Sequence, residues 1–289
     1  MKNFAVVTDS TANLPPETVE AFGLPIIPLT VHWGEDSYFD GVDLDADTFY
    51  QWLRARKDFP TTSQPSAGAF IDFFQQVAEN TGTNTILGVF LSSEMSGTIA
   101  SAMQARGHLF ETRPDLQIEI IDSRSVSMGL GLQVLAALRA AAKGLSVEET
   151  IQAVRRRQAA IHVLFAVDTL EYLHRGGRIG GAARLVGSAL NLKPVLTFVD
   201  GRVEPLEKVR SRAKSLRRII ELAEERLAGQ RPKELALIHA EAEAELPMFE
   251  EMVRGRLQPE RVCTVKLTPV VGTHGGPGTL GIAFHADPT

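Results

Sequence analysis

Cysteine is nearly absent from this 289-residue chain, Cys263 being the only one. A lone thiol excludes an internal disulfide framework and any multi-cysteine zinc or iron–sulfur site. Long apolar runs are missing as well. Stretches such as Ile86–Leu91 fall far short of the ~20 residues that span a bilayer, so no stable membrane insertion is expected. The opening MKNFAVVTDS carries no basic stretch followed by an extended apolar core. No signal peptide is therefore expected, and the expected location is cytoplasmic. Neither a GxxxxGK[ST] phosphate loop nor a GxSxG nucleophile elbow occurs. Catalytic equipment is thin, and the expectation is a protein without catalytic residues of its own.

What is present describes an ordinary globular chain, 44% hydrophobic and 22% charged. At about 100–200 residues per domain its length favours two domains. The net charge of -5 hides an asymmetry. Residues 1–150 carry 9 Lys and Arg against 19 Asp and Glu, whereas the remainder carries 21 against 16. The acidic first half is a poor match for nucleic acid, whose phosphates need clustered cations.

The first half alternates apolar runs with helical patterns. Strands are expected at Phe4–Thr8, Ile26–Val31, Thr85–Leu91 and Gln117–Ile121. Helices are expected after Pro15, over Asp47–Arg56 and Pro65–Glu79, from Thr98 to about Phe110, and over Ser127–Lys143. The second half adds helices at Ser146–Gln158, Asp168–His174 and Arg212–Leu227, strands at His162–Val167, Glu234–Ala240 and Val262–Leu267, and a closing Gly-rich loop plus strand over Gly275–His285. Asp200-Gly201-Arg202 reads as a hairpin turn between Pro194–Val199 and Val203–Leu206. The fold class is α/β in two domains. An α/β/α unit with a mainly parallel sheet occupies 1–150, and an α/β unit with a mixed sheet occupies 151–289.

Two motifs fail on context. Gly276, Gly278 and Gly281 match the dinucleotide spacing, but only eight residues follow Gly281 and they read as strand, not helix. Asp43, Asp45 and Asp47 resemble the start of a calcium loop, yet Thr48 stands where the turn glycine belongs. Helix capping is the plainer reading, and no metal is expected. A pattern of hydroxyls survives. Strands end at Asp9-Ser10-Thr11, at Ser92-Ser93 with Ser96 and Thr98, and at Ser123, Ser125 and Ser127, and Thr61-Thr62-Ser63 precedes a helix. Ligands in open parallel sheets bind beyond the strands' carboxyl ends, so the repetition points to a small anion or polar head group. His274, in a Gly/Pro-rich turn, reads either as a simple connection or as a cleft residue able to bond an oxyanion. The segment Lys208–Arg218 holds six cations in eleven residues and reads as a solvated helix face or as a docking surface.

Taken in order, these segments resemble the DegV family of bacterial fatty-acid-binding proteins. The matching stretches are Val7-Thr8-Asp9-Ser10, Thr62-Ser63-Gln64-Pro65-Ser66, Leu91 to Thr98, Ile121-Asp122-Ser123, Leu173 to Ile179, Leu192-Lys193-Pro194 and Gly272 to Gly278. The resemblance implies a buried pocket for one long-chain fatty acid such as palmitate, with no further cofactor. It implies that Thr62 and Ser93 bond the carboxylate, with His274 close by and Ser63 and Ser96 as further candidates, held without a neighbouring Lys or Arg. It also implies a lipid-carrying subunit that presents the carboxylate to a separate ATP-binding fatty acid kinase subunit, feeding phospholipid metabolism. Arg175, Arg178 and Arg202 are then candidates for partner contact. A stand-alone small-molecule kinase or transferase using the same cleft is the alternative.

Overall fold

The alternation in the first half becomes a parallel sheet. The computed structural model describes residues 4–187 and 192–286, so the outermost ends of the two expected units lie outside the described residues. In chain order come β1 (Ala5–Asp9), α1 (Pro16–Phe22), β2 (Ile26–Ile27), β3 (Thr30–Trp33), β4 (Asp36–Phe39), α2 (Ala46–Ala55) and β5 (Thr61–Ser63). Next are α3 (Ala67–Thr81), β6 (Thr85–Phe90), α4 (Thr98–Thr112), β7 (Gln117–Asp122), α5 (Met128–Ala142) and α6 (Val147–Ala160). There follow β8 (His162–Ala166), α7 (Glu171–Arg175), β9 (Val195–Val199), β10 (Arg202–Glu207), α8 (Arg212–Leu227) and β11 (Glu234–Ala240). Last are α9 (Leu246–Arg256), β12 (Val262–Lys266), α10 (Pro269–Gly275) and β13 (Thr279–His285).

Strands β2, β1, β6 and β7 form the parallel sheet in that order. Its alternate side chains serve two cores. Ala5, Val7 and Ile86 pack with Phe70 and Phe74 of α3 and Leu109 of α4, while Val6, Leu87 and Val89 face α5. The mixed sheet runs β10-β9-β8-β13-β11-β12, parallel only between β11 and β12. Leu216 and Ile219 of α8 and Phe249 of α9 cover one of its faces. The other face joins the core that α5 occupies, because Val163, Phe165 and Ala283 cluster there with Leu132 and Val134. Helix α5 therefore lies between two sheets. Eleven of its fifteen residues are buried, which explains why its sequence is apolar on every side.

Three departures from the sequence reading have simple causes. Ile26–Val31 is not one strand, since Pro28 lacks the N–H a ladder needs. The chain breaks there, sending β2 to the parallel sheet and β3 to a small antiparallel sheet ordered β4-β3-β5. His274 lies in the short helix α10 rather than in a turn, with Pro269 in its first turn. Residue 150 falls inside α6, whose capping box is built by Ser146 and Glu149. The hairpin stands as read: Asp200 and Gly201 both take positive φ, the geometry of a type I′ turn. Asp45 caps α2, accepting from the Thr48 amide at 2.9 Å. Among the described residues, no helix is long and apolar enough to cross a membrane.

One ion pair fastens α5 to the mixed sheet. Both Arg139 terminal nitrogens donate to the two Glu234 oxygens at 2.5 Å, and His285 Nε2 lies 3.2 Å from the same carboxylate. Burial pushes the Glu234 pKa up, but the bonds from His285 and Arg139 outweigh it and hold the group at about 2. Glu234→Gln is expected to cost about 1–2 kcal/mol in urea unfolding at pH 7, the low side of a charged hydrogen bond because Arg139 is partly solvated. Because the folded pKa is depressed, the wild-type advantage holds above pH 4.5 and fades as pH falls towards 2. An unchanged gap between the two proteins across that window contradicts the assignment.

Candidate functional site: an apolar cavity with a hydroxyl and imidazole end

Between the carboxyl edge of the parallel sheet, the small sheet and the mixed sheet lies a cavity of about 880 Å³, its mouth included. Its walls are mostly hydrocarbon, from Leu29, Leu91, Val163, Phe165, Ile238 and Val270 among others. Polar groups interrupt the apolar lining. Strand β5 and helix α10 bring Thr62 and His274 together, with Thr62 Oγ1 2.8 Å from His274 Nε2. Ser96, Gln64 and Arg178 line the same cavity.

His274 is held by what surrounds it. Its Nδ1 is buried and has no hydrogen-bond partner, because the ring lies against the backbone of Gly176. A Cβ at Gly176 would stand 2.1 Å from that nitrogen, so only glycine fits beneath the imidazole. Burial, and then the nearby Arg178 charge, push the His274 pKa down to about 4. The ring is therefore neutral at pH 7. Two buried carboxylates set the frame. Asp40 Oδ1 accepts from the Val270 amide at 3.1 Å, capping α10 from a distant part of the chain. Asp9 accepts from the Leu91 amide at 2.8 Å and from Thr11 Oγ1 at 2.5 Å, joining the loops after β1 and β6. Burial raises both acids to about 6, against hydrogen bonds that lower them.

The residues singled out from sequence divide into two groups. Thr62, Ser63, Ser96, His274 and Arg178 line the cavity. The Ser63 hydroxyl is engaged with His32 Nε2 at 2.8 Å, which gives His32 a positioning task that its sequence did not reveal. Ser93 is elsewhere. After β6 the chain makes a tight turn, with the Met95 and Ser96 amides donating back to the Ser92 carbonyl. That turn aims Ser96 inwards and leaves Ser93 exposed, its hydroxyl donating to Asp122 Oδ2 at 2.6 Å. Arg178 stands in the cavity wall and its charge acts on His274, so a head group placed at His274 would have a cation nearby. Its Nε and Nη1 donate to the carbonyls of Met95 and Gly176 at 3.0 and 2.7 Å.

Arg175 and Arg202 are exposed and ion-paired, with Glu171 at 2.7 Å and with Glu94 at 2.5 Å. The basic segment is partly neutralised too, Arg212 pairing with Glu245 and Arg218 with Glu207. Gln64 and Met95 were not among the expected site residues. Their place in quoted motifs was visible, but nothing in the sequence said which side chains of those loops turn inwards.

Comparison with known proteins places this architecture. The model of the DegV family, a family described as uncharacterised, matches residues 3–287. A DegV domain-containing protein of Streptomyces coelicolor is 37% identical over 282 residues, covering 97% of this chain and 98% of that one. A Thermus thermophilus DegV family protein, described for its fatty acid binding, superposes with a TM-score of 0.89 at 31% identity, covering 98% of this chain and 99% of its own. DegV of Bacillus subtilis, described as a fatty acid binding protein, superposes with a TM-score of 0.87 at 32% identity over 99% and 100% of the two chains.

The His274 ring is expected to stay neutral from pH 8 down to pH 5 in the unliganded protein, with a midpoint near 4 by NMR of the imidazole carbon-bound protons. Its depressed pKa means that the unfolded chain binds the extra proton first. This group therefore costs stability as pH falls from 6.5 towards 4. A His274 midpoint above 6 refutes the desolvated environment. Gly176→Ala should displace the ring and destabilise the fold by about 1–3 kcal/mol, read from thermal or urea unfolding.

Proposed function

The chain belongs to the DegV family, and from that premise we propose that the cavity binds one long-chain fatty acid with its carboxylate at Thr62 and His274. The observation that carries the reading is a mostly apolar cavity with a hydroxyl–imidazole pair, Thr62 and His274, in its wall. With the proton on Nε2, the neutral imidazole donates to Thr62 Oγ1, and the Thr62 hydroxyl is free to donate to a carboxylate oxygen. Ser96 supplies a second hydroxyl donor from the opposite loop. The Arg178 charge favours an anion there, although two of its nitrogens are spent on carbonyls.

Magnitudes divide the work. Each buried methylene contributes about 0.8 kcal/mol, whereas a hydrogen bond nets about 0.5–1.5 kcal/mol. The acyl chain supplies most of the affinity, and the hydroxyls fix where the head group sits. That division suits a carrier whose ligand is handed to another protein. In this reading the protein is a cytoplasmic, non-catalytic subunit that presents the carboxylate to an ATP-binding fatty acid kinase subunit for acyl-phosphate formation. The exposed Arg175 and Arg202, with Arg178 beneath them, are the candidate contact surface.

Denaturing mass spectrometry of the purified protein should release a long-chain fatty acid. A protein that is empty and takes up no added palmitate defeats the reading. Thr62→Val and Ser96→Ala should each weaken palmitate binding by roughly threefold to tenfold, while Ser93→Ala leaves it unchanged. The reverse pattern, with Ser93 decisive and Ser96 silent, removes the assignment made from the inward turn.

A further inference from the structure

Beyond the far wall of the cavity lies a second space that the fatty-acid reading leaves without a task. It is a crevice of about 750 Å³ lined by Ser123, Ser125, Gln133 and Gln158 and rimmed by the exposed Arg124 and Arg155. Val163 and Phe198 are common to both spaces, so one pair of side chains separates them. Strand register fixes which end of the cavity this is. Thr279, at the start of β13 beside α10, lines the cavity, and Val163 pairs with Ala283 four residues further on. At about 3.3 Å per residue the shared wall stands about 13 Å along the sheet from the α10 end. Helix α5 packs directly against this wall: a Cβ added to Gly129 would meet Ser125 Oγ at 2.1 Å and Val163 Cγ2 at 2.8 Å.

The crevice is polar in a particular way. Gln133 is 1% exposed and its Nε2 donates to the carbonyls of Ser123 and Gly129, both at 2.9 Å. Those two bonds fix the orientation of the amide. Its Oε1 has no protein partner, and neither does Ser125 Oγ, on a residue 6% exposed. A buried acceptor without a donor costs about 1–3 kcal/mol. A ligand hydroxyl that reached it would recover that cost, whereas a methyl or a carboxylate would not.

We propose that this crevice is a distal subsite, reached by displacement of Val163 and Phe198, that accepts long-chain fatty acids carrying a hydroxyl at the end remote from the carboxylate. Gln133 Oε1 accepts from that hydroxyl and Ser125 Oγ completes its hydrogen bonding. The proposal rests on the fatty-acid reading, since it needs the carboxylate at Thr62 and His274 to set the direction of the chain.

Competition between palmitate and ω-hydroxypalmitate for the delipidated protein tests it. The wild type should bind the hydroxy acid at least as tightly as palmitate. Gln133→Leu should shift the preference towards palmitate by roughly threefold to tenfold with palmitate affinity retained. Because Gln133 also bonds two carbonyls, Ser125→Ala serves as the milder variant and should shift the ratio in the same direction. A wild type that rejects the hydroxy acid by about a hundredfold, or a ratio unmoved in both variants, overturns the distal subsite and leaves the fatty-acid reading intact. Failure to bind palmitate itself overturns both readings.

Discussion

The polar end of the cavity depends on two carboxylates that water does not reach. Asp9 and Asp40 are both fully buried, and each is held by backbone amides and hydroxyls rather than by a cation. Asp9 gathers the loops after β1 and β6, so it decides where Leu91 ends and the inward turn begins. Asp40 fixes the first turn of α10 and thereby the height at which His274 meets Thr62. Burial costs each acid some of its charge preference, which raises both pKa values to about 6. Burial favours the neutral form of His274 as well, which for a base moves the pKa down rather than up. The two acids fix the loops and the helix around the site, and a neutral imidazole paired with the Thr62 hydroxyl lines the cavity between them.

Charge was informative in the sequence for a reason other than the one it first suggested. The excess of cations beyond residue 150 reads as a docking face, yet Arg212 and Arg218 close ion pairs within their own unit. Arg139 crosses from α5 to Glu234 at the start of β11, and Lys266 reaches Asp47 on α2. Both pairs join the two halves, but Arg139–Glu234 does so with the polarity opposite to the halves' net charges. Exposed pairs of this kind contribute little each, so the shared apolar core around α5 remains the main bond between the sheets.

Most of the fold was legible because its signals are local. Continuous apolar runs mark β6 and β11 and period-3.6 patterning marks α8 almost to the residue, and Asp200-Gly201 announces a turn whose two central residues take positive φ. Where the reading slipped, a non-local fact decided. Pro28 divides a β-rich run between two sheets, and α10 exists as a helix because Asp40 caps it from another strand pair. Leu246–Arg256, to which no element was assigned from the sequence, folds as α9 and buries Phe249 and Val253 in the core beneath the mixed sheet.

By itself the sequence determined the fold class, the strand-end hydroxyl loops and the family, since each rests on residue type and order along the chain. Only tertiary structure decided which hydroxyls face the cavity. Ser93 and Ser96 stand three apart in one loop, and a single turn sends one to Asp122 on the surface and the other into the cavity. The same holds for Arg178, which is a surface charge in the sequence and a cavity wall in the fold. Direction of a side chain is set by backbone bonds to distant residues. No local pattern of residue types encodes them.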